Sequence, residues 1–494
     1  MDLTNAYANL SADILATAPI TLLAVLGLIA VVVDSFWNDH PSVPWLAGLG
    51  LGVSFLLEVT KLTDPASTAF YGLLRTGGYA SFVNAVVLLG AGLSVQLCLP
   101  YLKRIRHNYG EVYAIVLFAT VGMMVLGTAN NLVAVFVGLE TMSICLYILT
   151  GLVRDDEGGI ESALKYFLLG AFATGFFLYG MALLYGATGT FYLPEMAAAV
   201  STQGTSPLFW TGAGLLLVGF MFKVSAVPFH MWTPDVYQGA PTTITGFMST
   251  TSKTAAFGSM ILVLFIALPA ANVSYALAVI ALITMVVGNV LALAQSNVKR
   301  MLAYSSVAHA GYVLVGLSAG SIAGYSGALY YTLVYTLMNI GAFGVMALLE
   351  WDEKGGREQT LDSLAGVGHR KPILGWTMAV FMFSLAGFPP LGGFMAKVAV
   401  FGPAVESGMV WLAITGVLAS AISAYYYLRV LVVFFMKAED DVRVPVADNE
   451  FAVPRSSAFV LVFCAAALLV LGVYPQLLDL TESFFSAAAM AALP

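Results

Sequence analysis

The chain has 494 residues, of which 60% are hydrophobic and only 10% charged, against about 25% charged in an ordinary soluble protein. A mean hydropathy of +0.90 leaves too little polar surface to cover a water-soluble globule, which excludes a soluble enzyme and a disordered chain. A net charge of -7 with a pI of about 5.2 leaves no basic face for nucleic acid. A membrane β-barrel would alternate apolar and polar residues, but the apolar runs here are near-continuous. An all-α polytopic membrane protein remains.

In chain order, residues 1–16 hold Asp2 and Asp13 but no Lys or Arg. They lack the positive start of a cleavable signal, so the first apolar run is expected to stay as a helix. Mostly apolar spans fall near 17–37, 44–60, 78–101, 111–129, 131–152, 161–187, 207–229, 242–268, 274–296, 301–319, 322–350, 372–402, 409–436 and 456–475, about 14 transmembrane helices. Cys98, Cys145 and Cys464 each lie inside an apolar run with no CxxC partner, and read as small buried hydrophobes.

The basic residues orient these spans, because Lys and Arg concentrate in cytoplasmic loops. Lys103, Arg104, Arg106, Arg154, Lys299, Arg300, Lys354, Arg357, Arg370, Lys371, Arg429, Lys437, Arg443 and Arg455 all lie at loops that follow odd-numbered spans. Only Lys61 and Arg75 fall on the other side. The loops after odd spans are therefore expected inside, and both termini outside.

Four of the 20 Lys and Arg remain, all lysines inside predicted spans: Lys165, Lys223, Lys253 and Lys397. An ionisable group at membrane depth costs roughly 2.5–3.5 kcal/mol on insertion scales. Such groups face a protein interior or a water-filled cavity. Lys165 lies near the start of its helix, where a snorkelling ion is the plain alternative. Glu140 is the matching intramembrane carboxylate. Desolvation lowers a lysine pKa and a nearby carboxylate raises it, so a moving counter-charge makes a buried lysine take or release a proton. Arginine does not deprotonate in proteins, and its absence from this set favours proton transport over voltage sensing.

Lys223 precedes Pro228, and Lys397 follows Pro389 and Pro390. Proline inside a span breaks or kinks the helix, so spans 7 and 12 are expected to be broken. Gly219-Phe-Met-Phe-Lys-Val224 reads against Gly393-Phe-Met-Ala-Lys-Val398, five spans later. An odd number of spans reverses orientation, so spans 4–8 and 9–13 are expected to form two inverted five-helix repeats. The expected division is 1–110 for an N-terminal three-helix segment, 111–270 and 271–440 for the repeats, and 441–494 for the last helix and tail.

His309, beside Ser305, Ser306 and Tyr312, is either a satisfied buried histidine or a proton relay. His230 is open in the same way, and Asp235 in its Thr-Pro-Asp turn reads first as a cap. Tyr304, Tyr312, Thr250 and Ser252 could help hold water. No P-loop, dinucleotide fingerprint, HExxH or haem-binding CxxCH is present.

The run from Lys223 to Pro241, KVSAVPFHMWTPDVYQGAP, resembles the proton-antiporter module shared by respiratory complex I and Mrp-type cation/proton antiporters. Asn297–Ser306 and Leu385–Phe394 are similar to that family too, and Asp235–Pro241 most resembles its subunit N branch in bacterial NADH-quinone oxidoreductases. The resemblance implies a Glu140–Lys223 ion pair, Lys253 as a link between the halves, and Lys397 passing protons outward, with Lys165 and His309 as supporting relays. It further implies no cofactor in this chain, with NADH, FMN, iron–sulfur clusters and quinone held elsewhere in a complex. Its partners would be sister antiporter-like subunits and small membrane subunits in a bacterial cytoplasmic membrane. A subunit of an Mrp-type antiporter or a membrane-bound hydrogenase-type complex is the alternative.

Overall fold

The computed structural model describes residues 3–37, 41–350, 360–436 and 452–485. A short helix α1 (Leu3–Ala16) leads into α2 (Ala18–Phe36), α3 (Ser42–Thr60), a hairpin of β1 (Ser67–Ala69) and β2 (Leu74–Thr76), α4 (Gly78–Arg104), α5 (Gly110–Thr128), α6 (Leu132–Thr150) and α7 (Glu157–Thr188). Then come α8 (Leu193–Gln203), α9 (Pro207–Val224), α10 (Trp232–Gly239), α11 (Thr242–Phe247), α12 (Lys253–Leu262), α13 (Ala270–Leu293), α14 (Val298–Ser318) and α15 (Ile322–Leu349). The chain continues through α16 (Val367–Arg370), α17 (Pro372–Ala386), α18 (Gly392–Glu406), α19 (Val410–Met436), α20 (Arg455–Val473) and α21 (Leu477–Ser483).

Thirteen helices among the described residues are long and apolar enough to cross a membrane. The remaining predicted span is the broken pair α17–α18. Every span expected from the sequence is found. Helices serve here because each backbone N–H and C=O is satisfied within its own segment, where no water can do so. Five of their starts carry side-chain caps: Asn131, Asp156, Ser206, Asn297 and Ser321 each accept from a backbone N–H in the first turn. The hairpin and the short α8 lie outside the predicted spans.

The helices segregate by polarity. The helices α11, α12, α14 and α15, which carry Lys253, Lys299, His309 and Asn339, are buried. Apolar side chains such as Val32, Trp45, Phe172, Leu418 and Val470 cover the outward faces of α2, α3, α7, α19 and α20. That inversion is what a lipid-facing exterior around a polar axis requires.

Two features recur between the halves. A Cβ on Gly122 of α5 would meet the Met142 backbone nitrogen at 2.5 Å, and one on Gly138 of α6 would meet that of Leu126 at 2.5 Å. Across α13 and α14, Gly288 and Gly311 approach the Ala308 and Met285 nitrogens at 2.6 and 2.7 Å in the same way. Small residues here let two helix backbones touch. The breaks also match: a left-handed residue, Ser225 or Gly387, is followed three positions later by a proline, Pro228 or Pro390.

The spacing from Ser225 to Gly387 equals that from Pro228 to Pro390, 162 residues. This corrects the register expected from the six-residue likeness, which set Lys223 against Lys397. Lys223 closes the half-helix before its break, whereas Lys397 sits in the half-helix after its own.

Candidate functional site: a buried line of lysines

Lys223 occupies the last turn of α9, 5% exposed. Among the described residues its ammonium has no hydrogen-bond partner. It lies 5.4, 5.5 and 5.8 Å from the ring centroids of Tyr147, Tyr166 and Phe222. Trp232 stacks on Tyr166 at 4.5 Å and donates its Nε1–H to the Phe222 carbonyl at 3.0 Å, which ties the second half of the broken helix to the first. Aromatic faces attract a cation without fixing it in a hydrogen bond. Glu140, half-buried on α6, accepts instead from Thr174 Oγ1 at 2.7 Å. The ion pair implied by the resemblance is therefore open here: the four ion pairs within 4.0 Å among the described residues do not include it.

Lys253 stands on the fully buried helix that follows, directly after a π-helical turn at Met248–Ser252. It donates to the Ser306 carbonyl at 2.8 Å and the Ser306 hydroxyl at 2.6 Å. Tyr335 donates to the same hydroxyl at 2.7 Å. His309, three residues on from Ser306 in α14, shares hydrogen bonds with Tyr331 at 2.7 Å through Nδ1 and Tyr427 at 3.1 Å through Nε2. Tyr427 also bonds Ser305. A small cavity lies between Lys253, Thr254, His309 and Tyr335. His309 is thus a satisfied buried histidine, and both of its nitrogens lie on a continuous chain of exchangeable protons.

Lys397 caps the end of the preceding half-helix. Its ammonium donates to the last carbonyls of α17, Leu385 at 3.1 Å and Ala386 at 2.8 Å, and to Ser420. A cation is favoured at a helix C-terminus, where carbonyls lack intrahelical partners. The Tyr312 ring lies 5.0 Å away, and Tyr312, Asn289 and Tyr426 are hydrogen-bonded in series. No carboxylate pairs with Lys253 or Lys397 among the described residues.

Two lysines are placed otherwise than expected. Lys165 is 43% exposed and pairs with Glu161 at 2.6 Å and Asp235 at 3.0 Å. Asp235 also holds Arg300 at 2.8 Å, so it bridges α7, α10 and α14 rather than capping its own turn alone. Lys299, read as a loop cation, is 2% exposed, donates to the Ala240 carbonyl at 2.9 Å and faces Glu350 at 3.5 Å. It sits at the start of α14, held between Ala240, which follows α10, and Glu350, which closes α15. Lys354, Arg357, Lys437 and Arg443 lie outside the described residues. Tyr331, Tyr335 and Asn339 escaped the sequence reading, although their spacing of four puts them on one face of α15.

Two of the three buried lysines lie beside helix breaks, the place where antiporter-like membrane proteins carry polar groups at membrane depth. The family profile described as NADH:quinone oxidoreductase/Mrp antiporter, TM, matches residues 129–423. The NADH-quinone oxidoreductase subunit N of Salinibacter ruber is 58% identical over 499 residues, covering 100% of each chain. That of Trichlorobacter lovleyi is 46% identical, covering 93% of this chain and 94% of its own. A chain of respiratory complex I from Thermus thermophilus, solved with bound aureothin, is 35% identical with a TM-score of 0.81, covering 94% of this chain and 99% of its own. A chain of the Mrp complex from Dietzia has a TM-score of 0.86 at 18% identity, over 97% of this chain and 99% of its own, a likeness of fold alone. The chain belongs to the NADH:quinone oxidoreductase/Mrp antiporter family, in its NADH-quinone oxidoreductase subunit N branch.

Proposed function

We propose that this chain carries protons across the membrane as a subunit of an NADH-quinone oxidoreductase, through Glu140, Lys223, Lys253 and Lys397, with His309 between the last two. The observation that carries this reading is the burial of three ammonium groups at membrane depth, each beside hydroxyls, carbonyls or ring faces rather than a carboxylate. A lysine in an apolar surround holds its proton less firmly, and an approaching carboxylate tightens that hold. Glu140 closing on Lys223 would load it; Glu140 turning back to Thr174 would release the proton toward Lys253. Ser306, Tyr335 and His309 then offer exchangeable protons on the way to Lys397. Lys165, in its pairs with Glu161 and Asp235, steadies the second half of the broken helix rather than conducting.

In this reading the chain holds no redox centre. NADH, FMN, iron–sulfur clusters and quinone belong to other subunits, and quinone chemistry there biases the Glu140–Lys223 pair through charge. Residues 111–270 and 271–440 act as the two repeats, with partner subunits against the apolar outer helices. The membrane is the bacterial cytoplasmic one, with both termini outside. The test is Lys223→Ala in the assembled complex: NADH-driven proton uptake into sealed vesicles falls at least several-fold while assembly persists. Uptake at the wild-type level would leave the lysines structural.

A further inference from the structure

The buried acid Glu350 takes no part in the line just described. It closes α15 at 6% exposure. Its Oε2 accepts from the Tyr101 hydroxyl at 2.7 Å and the Thr242 hydroxyl at 2.6 Å, and its Oε1 faces the Lys299 ammonium at 3.5 Å. Tyr101 in turn accepts from the Thr242 backbone N–H at 3.2 Å, so the carboxylate is docked at the start of α11, which runs through the π-helical turn into the helix that bears Lys253. A negative charge is favoured at that end of a helix. Arg104, only half-buried, holds the Leu348 and Glu350 carbonyls and forms the rim between this pair and the loop side. The charged or titratable groups facing the carboxylate are thus Lys299, Tyr101 and Arg104. By the basic-residue rule, this is the inside face.

From Glu350 two polar tracks run toward Lys253. On its own helix, Thr242 and Thr243 are followed by Ser249, Thr250 and Ser252, all buried, up to the π-helical turn before Lys253, about 16 Å along the axis. On α15, Asn339 lies about three turns back from Glu350, and Tyr335 one turn further, where it donates to the serine that Lys253 holds. Asn339 is 0% exposed, and neither its Nδ2 nor its Oδ1 has a hydrogen-bond partner among the described residues; the Thr243 hydroxyl is unpartnered too. Unpartnered buried amides are uncommon because they cost stability. Polar sites of this kind are where proteins hold internal water.

We propose that Glu350, with Lys299 as its counter-ion, is the inside intake station that reloads Lys253, a role that rests on the proton-transport reading above. In the step, the O–H bond of protonated Glu350 breaks and an N–H bond forms on the neutral amine of Lys253, the proton passing through water beside Asn339 and Tyr335. The products are a carboxylate, which the Lys299 ammonium stabilises, and a charged Lys253. Glu350 is regenerated by a proton from the inside. The protein then has two acid–lysine couples, Glu140 with Lys223, open here, and Glu350 with Lys299, at the start of both polar tracks.

The test uses the assembled complex in sealed vesicles, with NADH-driven proton uptake as readout and Lys253→Ala as reference. Glu350→Gln keeps an acceptor for Tyr101 and Thr242 but cannot release a proton; uptake is expected to fall at least five-fold. Glu350→Asp should recover at least half. Asn339→Leu removes an unpartnered amide at similar volume, so the thermal midpoint should hold or rise while uptake falls at least three-fold, a combination that a structural role does not produce. If Glu350→Gln does not assemble, Asn339→Leu decides. Wild-type uptake in Asn339→Leu, or in Glu350→Gln, while Lys253→Ala is impaired overturns the intake station alone. Wild-type uptake in Lys253→Ala overturns the transport reading beneath it.

Discussion

Lys397 shows how one residue is prepared by its neighbours. Its ammonium needs carbonyls to hold it, and these are free only because α17 stops at Ala386. The stop is made by Gly387 at φ +89, a conformation that side chains rarely adopt. A Cβ there would lie 2.9 Å from Lys397 Cδ and 3.0 Å from its Nζ. Gly387→Ala therefore combines backbone strain of about 1–3 kcal/mol with displacement of the ammonium. We expect a lower thermal midpoint for the purified complex, and proton uptake reduced more than the amount of assembled complex. An unchanged midpoint together with unchanged uptake would show that Lys397 tolerates another setting. Lys223 is the opposite case. Ring faces surround it and no hydrogen bond among the described residues fixes it, so its ammonium is free to shift.

At the scale of elements, the crossings of α5 with α6 and of α13 with α14 hold each repeat's first two spans at backbone contact. Gly138→Val inserts a side chain against the Leu126 nitrogen at 2.5 Å, with no flexible neighbour to yield. Overpacking of this kind costs about 1–3 kcal/mol. The expected result is less subunit incorporated into the complex on native gels, without a change in uptake per assembled complex. The spans, both breaks and the three buried lysines were legible in the sequence, because apolar length, proline and intramembrane charge each carry a large energy. The difference in repeat register was legible too, because Lys223 precedes Pro228 whereas Lys397 follows Pro389 and Pro390. Lys299 was misread because its place next to Arg300 at a helix start gives no sign that the chain ends of α4 and α15 close over it. The tyrosines on α15 look apolar in an apolar run; only the partners His309 and Ser306, far away in sequence, reveal their hydroxyls as part of a chain.

For the whole molecule, the decisive quantity is orientation, because it says which end of the lysine line faces which compartment. Basic residues alone argue for it, and the structure adds a geometric check. Lys103, at the end of α4, and Gln203, at the end of α8, are both exposed and lie in loops separated by three spans, hence on opposite faces. Native thiols offer little background: Cys98 and Cys464 are buried and Cys145 is half-buried within an apolar helix. A membrane-impermeant maleimide applied to right-side-out vesicles is therefore expected to label Gln203→Cys and spare Lys103→Cys. Inverted vesicles should give the reverse. Labelling of both from one face would break the helix count between them. A clean reversal would keep the fold but turn the molecule over, placing Glu350 and Lys299 outside, where they could no longer serve as an intake for protons pumped outward.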